Sequence, residues 1–206
     1  MKIATRDTKA FLNKPPDDVL VFLVYGRDDG LVHETALKIV SKVVDDHKDP
    51  FKVSDLNGND ILSNTSKLID EATAQSLLGG KRVVRIRLGN ENISESLGTL
   101  LDLKELSALI ILEAGNLKPS SPVRRLLEKH PSAAVIPCYQ DNQSALSGLI
   151  FDVVTPLGIT VSEPANDYLL NNLGSDRMIS RSELVKLALY VGNNNEVSLE
   201  DVVSVI

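Results

Sequence analysis

A chain of 206 residues, 43% of them apolar, is long enough to bury the core of one large domain or two modest ones. Its net charge of −6 argues against a protein that coats nucleic acid by its overall field, although a local basic patch stays open. The longest apolar stretch, Val19–Tyr25, is far short of a membrane span, and the N-terminus MKIATRDTKAF scatters charge as no signal peptide does.

In chain order, Val19–Tyr25 reads as a continuous apolar strand. An amphipathic helix through His33–Val44 follows, with Leu37, Val40 and Val44 on one face. Pro50–Leu56 is a short extended segment, and Thr65–Leu78 a helix stopped by Gly79-Gly80. Lys81–Leu88 alternates β-branched residues, Leu97–Lys104 is helical, and Ala108–Leu112 is a second wholly apolar strand. Pro119–Lys129 is another helix and Ala133–Cys138 the last strand. Apolar strands separated by helices predict an α/β fold, a parallel sheet covered on both faces. After Tyr139 the pattern turns helical, over 142–158, 163–173 and 178–191, with stops at Gly158, Gly174 and Gly192 and no strand signal between. A fourth helix opens at Ser198-Leu199-Glu200-Asp201 with a capping-box pattern. It reaches Ile206 within two turns, and the expectation is a truncated helix whose apolar run 202–206 is poorly covered.

Chemistry-bearing motifs are scarce. Cys138 is the one cysteine, which excludes an internal disulfide framework and fits a reducing cytoplasm. It sits in AAVIPCY, where an inert core thiol is the expectation. His33, His47 and His130 lack metal-ligand spacing, and no H-E-x-x-H, C-x-x-C or G-x-S-x-G is present. No catalytic or metal-binding residue is expected.

The segment LVFLVYGRDDGLVHETALKI has the order strand, glycine loop, helix on which phosphate sites are built. A phosphate loop needs G-x-x-x-x-G-K-[ST], with backbone amides and lysine on the phosphates and the hydroxyl on magnesium. Here Gly26 and Gly30 are one residue too close, and Leu31 and Val32 replace the lysine and the hydroxyl. Asp28 and Asp29 would repel a triphosphate. The residues alone predict a plain strand-to-helix turn, with Gly supplying positive φ and Asp28 or Asp29 capping the helix.

VYGRDDGLVHE, SLLGGKRVVRI, LIILEAGNLKPSSPVRRLLEK, AAVIPCYQD and NLGSDRMISRSELVKLALYVG follow in that order. Together they resemble the delta-subunit family of the bacterial DNA polymerase III clamp loader, within the AAA+ superfamily. The resemblance implies an AAA+-type parallel sheet flanked by helices over residues 1–140, then a small helical lid domain over 141–206. A collar domain would be missing beyond it. It also implies a subunit that binds no ATP, needs no cofactor, and grips and helps open the sliding clamp. Its partners would be the beta sliding clamp and other loader subunits (delta prime, gamma/tau). DNA would be reached only through the complex, with no membrane involved.

Several residues gain a reading from that resemblance. A hydrolytic relative would end the strand Lys81–Leu88 with Asp-Glu, whereas this one carries Arg85 and Arg87. Glu113 ends the next strand as a lone acid, and Asn116 stands near the family's polar sensor position, where a turn is its expected job. The clamp-gripping element corresponds to Gln75, Ser76, Leu77, Leu78 and Gly79. Adjacent leucines on a helix diverge by about 100°, so one of the pair tends toward solvent as a wedge; the other reading is a finished core helix. The family commonly has phenylalanine at the position of Leu78 and an apolar residue at that of Gln75, so this wedge is smaller and more polar.

Lys118, Arg124, Arg125 and Lys129 form either a patch for DNA or a neighbouring subunit, or a solvated helix face. Arg177 and Arg181 invite a sensor-arginine reading, but with no phosphate site opposite, packing or pairing with Asp176 or Glu183 is expected. Two readings compete with the clamp-binding one: an ATPase with an unusual loop, and an interaction scaffold unconnected with replication.

Overall fold

The computed structural model describes residues 1–76, 79–103, 105–139, 142–174, 176–192 and 195–206. The chain divides into two compact units, Met1–Tyr139 and Gln140–Ile206.

The first unit is built on five parallel strands: β1 (Val21–Gly26), β2 (Val53–Asn57), β3 (Arg82–Leu88), β4 (Ala108–Ala114) and β5 (Ala133–Cys138). They run in the order β2-β3-β4-β1-β5. Strands buried on both faces must be apolar throughout, and central β1 and edge strand β5 are both buried at every position. Alternate side chains feed two cores. One face carries Leu23, Tyr25, Ile86 and Leu112 under α4 (Thr65–Thr73), α5 (Ser94–Leu101) and α6 (Pro122–Lys129). The other carries Phe22, Val24, Val83 and Ile111 against Val32, Ala36 and Ile39 of α2 (Asp29–Val40). A short α1 (Thr8–Asn13) and α3 (Gly58–Ser63) complete the unit.

Several boundaries differ from the sequence expectation. The helix expected over His33–Val44 starts four residues earlier, because Asp28 caps it, and ends at Val40. The helix expected through Leu78 ends at Thr73, with Ala74 extended. Its Ala72 carbonyl accepts the Ser107 amide at 3.0 Å, so a distant loop takes the bond that residue 76 would have made. Helix α6 starts at Pro122, a residue suited to a first turn.

The second unit has its own core, with Leu149, Leu169, Leu184 and Val202 buried together. It comprises α7 (Asn142–Val154), α8 (Glu163–Asn172), α9 (Arg177–Val191) and α10 (Leu199–Val205). Two short parallel strands, β6 (Thr160–Val161) and β7 (Glu196–Val197), also pair here, correcting the expectation that no strand interrupts the helices. Two residues are too few for a period to register. The capping box is formed: Ser198 Oγ accepts the Asp201 amide while Asp201 accepts the Ser198 amide. That backbone bond holds the Asp201 carboxyl below the usual carboxylate range. The run expected to be poorly covered is mixed, for Val202 is fully buried and Val203 exposed.

Candidate functional site

The loop between β1 and α2 is where a phosphate would sit, and its geometry shows what occupies it. Asp28 Oδ1 accepts the Leu31 amide at 2.9 Å. The anion on the helix N-terminus is therefore the protein's own carboxylate. The glycines have a different reason from the one expected. Neither has positive φ, and Gly30 lies within the first turn of α2. Gly26 is required by close approach, since a Cβ there would fall 2.2 Å from the Cys138 carbonyl oxygen on β5. Cys138 is buried and directs its thiol at Thr35 Oγ1, 3.7 Å away, as a core residue does.

On the face of the sheet covered by α2, the structure assembles a charged cluster that sequence reasoning missed. Arg85 on β3 is 3% exposed and Glu113 on β4 is 8% exposed. The guanidinium donates to Glu113 Oε1 from Nη2 at 2.8 Å and from Nε at 3.1 Å. Glu113 Oε2 lies 3.0 Å from His33 Nδ1 on α2. Arg85 Nη2 stands 3.4 Å from the same nitrogen. We assign the proton to Nδ1, donating to the nearer carboxylate, because a nitrogen between an acid and a cation gains most that way. Arg85 Nη1 also pairs with the exposed Asp55 of β2 at 3.4 Å. Glu113, read from sequence as a lone acid, is thus fully engaged. The sequence signal for the cluster was a lone acid in apolar β4 and arginines at three positions of β3, without anything to show which of them turns inward.

The gripping stretch is placed only in part. Leu77 and Leu78 lie outside the described residues. Gln75 and Ser76 follow α4 outside any helix or strand, not at a helix end. Ser76 Oγ donates to the Gly79 carbonyl at 2.9 Å, and the Gly79 amide donates to the Ser76 carbonyl. Gly79 and Gly80 both take positive φ, 76° and 80°, a conformation that favours glycine.

The expected basic group does not hold together. Arg124 is buried, donates to Glu128 and to the Leu117 carbonyl, and stacks 4.9 Å over the Tyr25 ring. Lys118, Arg125 and Lys129 remain exposed. Asn116 accepts the Tyr139 hydroxyl at 3.2 Å. Arg177 and Arg181 lie on α9, where Asp176 is engaged as the helix cap and Glu183 pairs with Lys186. Among the described residues no group of His, Cys, Asp and Glu could hold a metal ion, and no helix is long and apolar enough to cross a membrane.

Comparison with known proteins follows the geometry. A family model described as DNA polymerase III, delta subunit, matches residues 22–132, just over half of the chain. A Rickettsia prowazekii protein named "Probable DNA polymerase III subunit delta" is 23% identical over 190 residues, covering 91% of this chain and 56% of that protein. The chain therefore spans about half the length of this curated relative. The solved Bacillus subtilis DNA clamp loader delta protein superposes with a TM-score of 0.67 at 19% identity, over 98% of this chain and 62% of that one. The Thermotoga maritima RuvB Holliday junction branch migration motor gives 0.60 at 11% identity, over 98% and 68%. At such identities the structures speak for fold alone: an AAA+-type parallel sheet flanked by helices, followed by a small helical unit. With the family model matching from β1 to the start of β5, the chain belongs to the DNA polymerase III delta subunit family.

Proposed function

We propose that this chain is the clamp-gripping part of a clamp-loader delta subunit, acting in DNA replication without binding nucleotide and without catalysis of its own. The observation that carries the reading is the loop at Gly26–Leu31 in a member of this family. It lacks lysine and hydroxyl, and the amide that would meet a phosphate is held by Asp28. The grip is assigned to Gln75, Ser76, Leu77, Leu78 and Gly79. Its setting supports that assignment: α4 ends at Thr73 and β3 starts at Arg82, so the stretch falls in the connection between them, with left-handed Gly79 and Gly80 at its end. An apolar pair in that connection suits a pocket on a partner, where burying each leucine is worth about 1.5–3 kcal/mol. The domains are 1–140 and 141–206. Partners are the beta sliding clamp and the delta prime and gamma/tau subunits, with DNA reached through the assembly.

Mixing the chain with purified sliding clamp and following co-elution tests the reading. A stable complex is expected; separate elution at micromolar concentrations overturns the grip. Opening needs more than gripping, because a ligand shifts an equilibrium only by its differential affinity. A clamp whose interface is weakened by mutation should bind this chain more tightly than the intact ring.

A further inference from the structure

We propose that His33, Glu113 and Arg85 form an ionic latch that sets the position of α2 on the sheet, the protein's own guanidinium serving as the fixed cation of the site. Elsewhere along α2 the buried contacts are mainly apolar, through Val32, Ala36, Ile39 and Val40, with Thr35 meeting the Cys138 thiol. Apolar contacts are non-directional and tolerate sliding. The cluster adds direction at one point. Arg85 comes from β3, Glu113 from β4, Asp55 from β2 and His33 from α2, so four elements are tied together on one face of the sheet.

Burial makes the tie demanding. Charges removed from water persist only when their hydrogen-bonding capacity is matched. Here one Glu113 oxygen accepts twice from Arg85 and the other faces His33. Moving α2 would expose a buried acid whose second oxygen had lost its donor. The N-terminus of the same helix is held by Asp28. Asp28 and the cluster at His33 thus hold the helix through the protein's own side chains, and it keeps one position whether or not nucleotide is present. This inference concerns α2 and is independent of the clamp-gripping assignment.

Hydrogen exchange on the whole chain tests it. His33 is part-exposed, so His33→Ala removes the tie with little loss of core. It is expected to speed exchange of the α2 amides 33–40 by about tenfold while those of β1 and β4 stay protected, a local rather than a global opening. Arg85→Met should do the same or more; if it fails to fold, His33→Ala still decides. In the wild-type chain, millimolar magnesium-ATP should leave α2 exchange unchanged. Unaltered α2 exchange in His33→Ala overturns the latch, and so does slowed α2 exchange on adding magnesium-ATP to wild type.

Discussion

Gly26 and the Cys138 carbonyl stand so close that a β-carbon at residue 26 would lie 2.2 Å from the oxygen. The obstacle is strand backbone, which cannot rotate away as a flexible side chain can. Gly26→Ala is therefore expected to lower stability by about 3 kcal/mol, at or beyond the upper end of overpacking costs. Denaturant unfolding reads this directly; a loss below about 0.5 kcal/mol would mean that the ends of β1 and β5 can part freely.

Asp28 caps α2 through the Leu31 amide. Replacing it with alanine should cost about 1 kcal/mol, the usual worth of such a cap. The freed helix end still lacks the lysine and hydroxyl of a phosphate loop, so Asp28→Ala should gain no saturable ATP or ADP binding below millimolar concentration, as measured by calorimetry. The wild-type chain should show none either. Micromolar binding in either would restore the ATPase reading.

Leu77 and Leu78 carry the proposed grip. Changing both to alanine should weaken clamp binding by roughly 2–4 kcal/mol and leave folding nearly intact, as expected of a pair that serves a partner rather than the core. The contrary pattern, a large fall in melting temperature with unchanged clamp affinity, identifies a pair that only finishes the core.

Burial pushes the Tyr25 hydroxyl up to about 12, against an opposing pull from the Arg124 cation. This hydroxyl is fully buried and, among the described residues, has no partner in hydrogen-bond geometry, while the neighbouring Tyr139 hydroxyl adds to the upward push. In the unfolded chain it ionises near 10.0, so between that value and about 12 the native state holds more protons. Stability is then fully present below the lower value and falls as pH rises through the window. Tyr25→Phe should flatten that alkaline loss. Near neutral pH it should be neutral or stabilising by up to about 1 kcal/mol, because an unmatched buried hydroxyl is removed. An unchanged alkaline profile would show that another group causes the loss.

What the sequence determined by itself was whatever depends on neighbours along the chain. Runs such as VFLVY and ALIIL can satisfy burial on two faces only inside a parallel sheet, so the fold class and the strands of the first unit were legible in the sequence. The Ser198–Asp201 box was legible for the same reason, since its bonds span three residues. The missing lysine and hydroxyl after Gly30 were legible because phosphate chemistry needs fixed residue types at a fixed spacing. Tertiary structure alone decided the rest. His33 meets Glu113 across 80 residues, and Arg124 is drawn inside by the Tyr25 ring, Glu128 and a carbonyl. Helix α4 stops at Thr73 because a strand-entry loop takes the Ala72 carbonyl. Gly26 answers to a strand 112 positions further on, not to its own φ. A charged residue in a sequence reads as exposed until a partner is known, and partners of this kind exist only after the sheet has brought its strands together.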